Sequence, residues 1–463
     1  MKLTAEAFLN DPRVAEAKRL LLDALRDHQR ALTCVRPAHS QMAERYERTL
    51  ERFATLRGGN LFYPYLSSGF GHGALVELAD GSVKYDMITG IGVHGFGHSH
   101  AMLVEAAIDA AVRDTIMQGN LQQDVTCVEL AELLVQTANA SGAALSHCFL
   151  STSGAMANEN ALKLVFQKHT PANRMLAFEH CFAGRTMTLA QVTDRPNYRS
   201  GLPPTIRVDY LPFYDAASPA RSTARAVSTL TRHLSRYPGQ HAGMVLELVQ
   251  GEGGYYPGTH DFFKAIIEVL HEHGLAVIVD EVQTFGRTTR PFAFQHFALD
   301  AHVDVVTIGK LSQVCATLFR NEYKPKPGLI SQTFTGATSS ILASKAILRH
   351  LTDAKYFGEQ GRIVEIHRRF ADGFDAIAKR HPDTLTGPYG LGGMIAFTPM
   401  DGSVENAKAV VHALFDRGVI AFIAGHDPMR VRFLPPIGVM TDADIDAVLV
   451  IVEKTLAAMT TAV

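Results

Sequence analysis

At 463 residues the chain exceeds the usual domain of roughly 100–200 residues, so two or three domains are expected. Hydrophobic residues make up 47% and charged residues 19%, with no Trp, a balance that supplies ample core and excludes disorder as the main theme. Lys and Arg total 44 against 46 Asp and Glu, a formal net charge of −2, and without a basic excess nucleic acid is excluded as a partner.

Residues 1–58 are charge-rich and space their apolar residues three and four apart, as in AEAKRLLLDALRDHQRAL, which predicts a helical extension. From about residue 60 the segment FYPYLSSGFGHGALVELADGSVKYDM reads as short strands around an Asp80–Gly81 turn. Helices are predicted at 100–117, 126–138 and 154–169. Strands at 174–180 and 206–212 follow, then a helix near 221–236. The strand 244–249 leads to a helix over 261–273, and the apolar runs LAVIVDE (275–281) and VDVVTIG (303–309) complete the alternation. Continuously apolar strands separated by helices imply a sheet buried on both faces, hence a mostly parallel α/β architecture. Beyond a helix at 339–352 the pattern predicts a smaller α+β region. It has a helical segment over 355–380, a strand at 392–397, a helix at 404–417, the strands VIAFIA and RVRFLP, and a final helix at 442–459. Thr441 and Asp444 match a capping box at the start of that last helix. The expected division is 1–70 for the extension and the start of the small domain, 71–345 for the large α/β domain, and 346–463 for the small C-terminal domain.

The five cysteines, Cys34, Cys127, Cys148, Cys181 and Cys315, are odd in number and form no CxxC pair, which argues against a zinc ribbon and a disulfide framework and fits a reducing compartment. Glu6 and Asp11 interrupt what would be the apolar core of a signal peptide, and no run of about 18 uncharged apolar residues occurs. A cytoplasmic protein without a membrane partner is expected.

Three motifs lead nowhere. GIGVHG (90–95) satisfies the GxGxxG pattern, but its third glycine precedes the next helix by several residues instead of lying in it, and no acidic residue ends a strand about 20 residues on. His94, His98 and His100 have metal-like spacing, but no carboxylate or Cys stands at companion spacing, so no metal is expected. The strand ending in Asp280-Glu281 resembles the magnesium-holding strand of nucleotide hydrolases. The only Gly-Lys, Gly309-Lys310, is followed by Leu311 and lacks the GxxxxGK[ST] pattern.

The ends of the predicted strands hold together better, because ligands of open α/β sheets bind at the carboxyl ends. STSGAMANE (151–159) closes a strand and opens a helix with small residues, leaving backbone N–H groups at a positive helix end to receive a phosphate. Asp280 follows five apolar residues, so its carboxylate needs a cation or N–H partner, and a protonated pyridine nitrogen would serve. Lys310 ends another apolar strand, where burial lowers an amine pKa toward what a Schiff-base lysine requires. Alone it would read as a lysine snorkelling from a strand end. Together these are the groups that pyridoxal 5′-phosphate asks for.

From about residue 70 onward the sequence resembles the class III (omega-amino acid) aminotransferases of the fold-type I pyridoxal phosphate enzymes. The resemblance runs in order through DMITGIGVHGFGH, STSGAMANE, FAGRT, ELVQGEGG, VIVDEVQTFGRT, TIGK, the TFTG stretch and RFLPP. It implies Lys310 as the Schiff-base lysine and proton carrier, and Asp280 as the partner of the pyridine nitrogen. It further implies Gln283 on the phenolic oxygen, Ser153, Gly154 and Ala155 at the phosphate, and Phe182 stacked on the ring. Thr333 would reach the phosphate from a neighbouring subunit, so a homodimer with active sites at the interface is implied. Arg432 would hold the α-carboxylate, Glu252 would neutralise it when an omega-amine enters, and Arg185 would take a second carboxylate, which suits the dicarboxylate 2-oxoglutarate.

The implied activity moves the terminal amine of an amino acid such as lysine, ornithine, acetylornithine or 4-aminobutyrate to 2-oxoglutarate. An aminomutase on the same fold, or a vestigial binding protein, are the alternatives. Met156, Ala183, Leu248 and the pair Ala337-Thr338 depart from the family pattern, and LSQVC after the lysine looks like the lysine 6-aminotransferase branch.

Overall fold

A computed structural model describes residues 3–113, 116–353 and 355–460 of the chain. Its centre is a seven-stranded sheet of β1 (His147–Ser151), β2 (Arg174–Phe178), β3 (Arg207–Leu211), β4 (His241–Leu246), β5 (Ala276–Glu281), β6 (Val305–Ile308) and β7 (Cys315–Phe319), in the order β1-β7-β6-β5-β4-β2-β3. β3, β2, β4, β5 and β6 run parallel. β7 is antiparallel to both β6 and β1, so β1 points the same way as the five. Every residue of β2, β4, β5 and β6 is buried, as continuous apolar runs require of a sheet covered on both faces.

The two faces divide by the period of two along each strand. Val277 and Val279 pack with Phe262, Phe263 and Ile266 on one face, and Ala276 and Ile278 with Leu162, Val165 and Met175 on the other. Each fully buried Val, Leu, Ile or Phe contributes roughly 1.5–3 kcal/mol. The covering helices are cut to fit. Pro219–Arg236 starts with Pro219 in its first turn and buries Ser222, Ala226, Leu230 and Leu234, four residues apart. In His260–Glu272 the Thr259 hydroxyl caps the start by accepting from the Phe262 N–H at 3.3 Å.

The smaller region has an antiparallel four-stranded sheet, Leu385–Leu391, Met394–Pro399, Met429–Phe433 and Phe422–Gly425 in that spatial order. Val419–Ile420 pairs in parallel with Val83–Asp86, so the chain just beyond the N-terminal helices closes onto the C-terminal region. The extension forms the helices Thr4–Leu9, Pro12–Gln29 and Ser40–Arg57, as its spacing predicts. The capping box is present: Thr441 N–H donates to Asp444 Oδ2 at 3.0 Å, and Asp444 N–H to Thr441 Oγ1 at 3.2 Å.

Some expectations need correction. The helix expected over 100–117 is Ala101–Ala111, and Met117–Gln118 is instead a short strand pairing with Gly336–Ala337; residues 114 and 115 lie outside the described residues. The helix expected from 355 begins at Arg362, because 355–361 form a turn around Gly358 (φ 91°) and Gly361, where a Cβ would sit 2.4 Å from the Tyr356 carbonyl oxygen. His98 has a carboxylate partner after all: folding brings Asp86 to 2.8 Å from its Nε2. Among the described residues no helix is long and apolar enough to cross a membrane.

Candidate active site

Because β1, β2, β4, β5 and β6 share one direction, the residues just beyond their carboxyl ends converge. They are 152–154 after β1, 180–185 after β2, Glu247 after β4, Asp280 at the end of β5, and Lys310 two residues past β6. Gly154, Ala155, Phe182, Asp280, Gln283 and Lys310 line one cavity of about 290 Å³, together with Asn158, Glu247 and Arg185.

Asp280 is 7% exposed. Its carboxylate accepts from Asn158 Nδ2 at 2.7 Å and from the Val282 N–H at 2.9 Å, and it has no ion-pair partner among the described residues. Burial pushes its pKa up, opposed by the Val282 and Asn158 donors and by the charge of Lys310. A cation placed against it would pull the pKa back down. Burial likewise lowers the Lys310 amine, opposed by the negative charges of Asp280 and Glu252. Lys310 also has φ 55°, a left-handed conformation that costs a side-chain-bearing residue on the order of 1–2 kcal/mol.

Gly154 opens the helix Gly154–Lys168, and a Cβ there would meet Val282 Cγ1 at 2.7 Å, so only glycine brings the helix N-terminus this close to the end of β5. Ser153 is the N-cap: its exposed hydroxyl accepts from the Met156 N–H at 3.2 Å. Gln283 is 8% exposed, and its Oε1 is buried with no partner among the described residues. An unmade bond at a buried amide costs about 1–3 kcal/mol, which a polar ligand in the cavity would recover. A phosphorylated pyridine fits this set: N–H groups for the phosphate, a buried carboxylate without a cation for the ring nitrogen, a free amide for a ring oxygen and an amine of lowered pKa.

Two residues were missed in sequence. Asn158, one helical turn past Gly154 and 4% exposed, donates to both Asp280 and the Ala183 carbonyl (2.8 Å) and accepts from Thr307 Oγ1 at 2.6 Å. It holds the Asp280 carboxylate at a fixed angle. Glu247 accepts from the Phe182 N–H at 2.8 Å and the Gly251 N–H at 3.1 Å, tying the two loops that border the cavity. Its position at the end of an apolar strand, like that of Asp280, was the available signal.

Burial, then the neighbouring negative charge of Asp280, pushes the Glu247 pKa from 4.5 up to about 8. The folded state therefore binds this proton more tightly than the unfolded chain, and the stability it contributes is present below about pH 4.5 and lost as pH rises toward about 8. Urea unfolding of the cofactor-free protein should show stability falling across that window. Glu247→Gln, which has no proton to lose, should be less stable overall but with a flatter decline; an identical slope would refute the role of Glu247.

A second cavity of about 410 Å³ shares Arg185 with the first and is lined by Ile91, Arg195, Tyr198, Glu252 and Phe422 among others. Arg432 is fully buried and donates through Nη2 to Glu252 Oε1 at 2.6 Å. Burial would raise the Glu252 pKa, but the charge and hydrogen bond of Arg432 outweigh it and hold the carboxyl below its ordinary range. Arg185 is exposed, its guanidinium 4.0 Å from the centre of the Tyr198 ring. Thr333 is exposed and does not line the cavity. It lies on the segment that pairs with 117–122, where Gly119 is required because a Cβ would meet the Thr333 carbonyl oxygen at 1.6 Å.

A family model described as aminotransferase class-III matches residues 65–456. The acetylornithine aminotransferase of Corynebacterium efficiens is 32% identical, the alignment covering 82% of this chain and 89% of that one. That of Archaeoglobus fulgidus is 30% identical over 81% and 92%. Among solved structures, a lysine aminotransferase from M. tuberculosis superposes with a TM-score of 0.78 at 24% identity, covering 88% of this chain and 99% of that one.

Proposed function

Since the chain belongs to the class-III aminotransferases, we propose that it transfers the terminal amino group of a lysine-, ornithine-, acetylornithine- or 4-aminobutyrate-type donor to 2-oxoglutarate, giving a semialdehyde and glutamate. Pyridoxal 5′-phosphate is the family's cofactor, and when bound it supplies an electron-withdrawing ring that stabilises negative charge on the carbon bearing the amine.

The chain's own groups carry the rest. The N–H groups of Gly154 and Ala155, with Ser153, hold the phosphate at the helix N-terminus. Thr333 joins them from a second copy of the chain, so the active form is a homodimer. Asp280, fixed by Asn158, keeps the ring nitrogen protonated; Gln283 bonds the ring oxygen and Phe182 covers the ring face. Nζ of Lys310 takes the proton from the amine-bearing carbon and passes it on to the cofactor's side of the site, and burial favours the neutral, accepting form of the amine.

The pair of half-buried Glu252 and fully buried Arg432 carries the substrate reading. With the pair closed, Arg432 is matched by Glu252 and is not offered to a carboxylate, which suits a methylene chain ending in an amine. With Glu252 withdrawn, Arg432 is freed for the α-carboxylate of the acceptor, whose second carboxylate lies within the compass of Arg185. Incubating the enzyme with 2-oxoglutarate and a panel of omega-amines, and measuring glutamate, tests the reading. Isomerised donor without glutamate would replace it with an aminomutase. Glu252→Ala should leave Arg432 permanently free, so that stopped-flow half-reactions become faster with glutamate and slower with the omega-amine. Unchanged half-reactions would remove Glu252 from the selection of substrates.

A further inference from the structure

We propose that Arg195 is a specificity-determining residue, which together with Arg185 makes the outer cavity select amino donors whose far end is doubly anionic and carries no free α-ammonium. The inference rests on the transaminase reading above and adds to it the charge of the donor.

The one carboxylate on the wall of the outer cavity is Glu252, already matched by Arg432. Arg185 and Arg195 both line the same cavity, and neither makes an ion pair among the described residues. The nearby Asp194 is engaged elsewhere: it accepts the His180 N–H at 2.8 Å and lies 3.9 Å from Arg199. With the inner pair closed, the state suited to the amino donor, two guanidiniums therefore face the outer cavity without an ion-pair partner among the described residues.

Both are held so as to offer their donors. Arg185 lies over the Tyr198 ring, which leaves its in-plane N–H edge free for a bidentate carboxylate. Arg195 is half-buried. Its Nη2 donates to the Glu252 carbonyl at 2.9 Å and the Gly425 carbonyl at 3.1 Å. Those bonds fix the side chain while Nη1 and Nε keep no partner among the described residues. Neutral carbonyls orient a guanidinium without cancelling its charge. A donor with a free α-ammonium would bring a third positive charge to this mouth, whereas one with an acylated α-nitrogen and a second carboxylate would balance it.

The discriminating measurement is kcat/KM for three omega-amine probes with the holoenzyme: ornithine, Nα-acetylornithine and Nα-succinylornithine, which carry an α-ammonium, one carboxylate, and two carboxylates. The wild type should rank them in rising order. Arg195→Gln should reduce the succinyl-to-acetyl ratio at least tenfold, chiefly through KM, and Arg195→Lys should restore part of it, since the charge returns without the fork. Raising the salt concentration should compress the wild-type ratio and not that of Arg195→Gln. An equal loss on all three probes, without recovery in the lysine variant, would make Arg195 only a brace for the Glu252 turn and overturn the proposal. So would a wild type indifferent to the second carboxylate. If no omega-amine yielded glutamate, the transaminase reading itself would fall, and that result is distinct from turnover without a charge preference.

Discussion

Lys310→Ala is expected to fold and to take up pyridoxal 5′-phosphate, yet to turn over several orders of magnitude more slowly than the wild type. The amine stands two residues past β6 and lines the cavity with Asp280, Glu247, Asn158, Gln283 and Arg185. Among the described residues no other lysine lines it, so no second amine stands ready to take over the proton transfer. The helix N-terminus at Gly154, proposed to hold the phosphate, and the carboxylate of Asp280 are untouched by the change. Binding and chemistry should therefore separate: equilibrium dialysis would find cofactor on the variant, while borohydride treatment, which fixes cofactor to the wild-type chain, would leave the variant's mass unaltered. Turnover at the wild-type rate, or cofactor fixed to the variant, would dismiss Lys310 from its role.

Asp280→Asn ranks next. The amide nearly preserves shape, and one oxygen can still accept from Asn158 or Val282, so folding should survive. What disappears is the one buried negative charge positioned to keep a ring nitrogen protonated. Preorganised charge of this kind is worth about 2–4 kcal/mol in the barrier, or roughly 30- to 1,000-fold in kcat. The loss should fall on the proton-transfer step, visible as a larger kinetic isotope effect with a donor deuterated at the amine-bearing carbon, and much less on KM. A turnover number equal to the wild type's would mean that Asp280 is only a buried acid satisfied by its two N–H donors.

How much of this was legible in the sequence depends on the kind of residue. Asp280 and Lys310 stand out because a charge directly after an apolar strand must be either paired or used, and the strands β5 and β6 are plain in their Val and Ile runs. The α/β order follows from the same runs. β7 was not legible: Cys315–Phe319 is short and follows Leu311-Ser312-Gln313 without a turn signal, and only its hydrogen bonds to β6 and β1 define it. Asn158 carries no signal either, since a polar residue in mid-helix ordinarily faces water. It is buried because its helix lies across the ends of β5 and β6. Arg195 and the Asp86–His98 pair depend on contacts between segments that no local spacing reveals. Glu247 differs, because a carboxylate at the end of MVLELV obeys the same rule that exposed Asp280, and it could have been read.

The left-handed backbone at Lys310 has a consequence for how this chain can be altered. A glycine at that position would relax the turn between β6 and β7 and would also shed the conformational freedom of a half-buried lysine, so folding alone favours its loss. The role proposed for Lys310 therefore runs against the conformational preference of the polypeptide at that position. Any stabilisation campaign scored by yield or melting temperature would drift toward small residues at 310 and at the neighbouring left-handed Gln313, enriching robust but inert proteins. Screens on this scaffold therefore have to score turnover from the first round, and the tolerant ground for remodelling is the outer mouth, not the lysine turn.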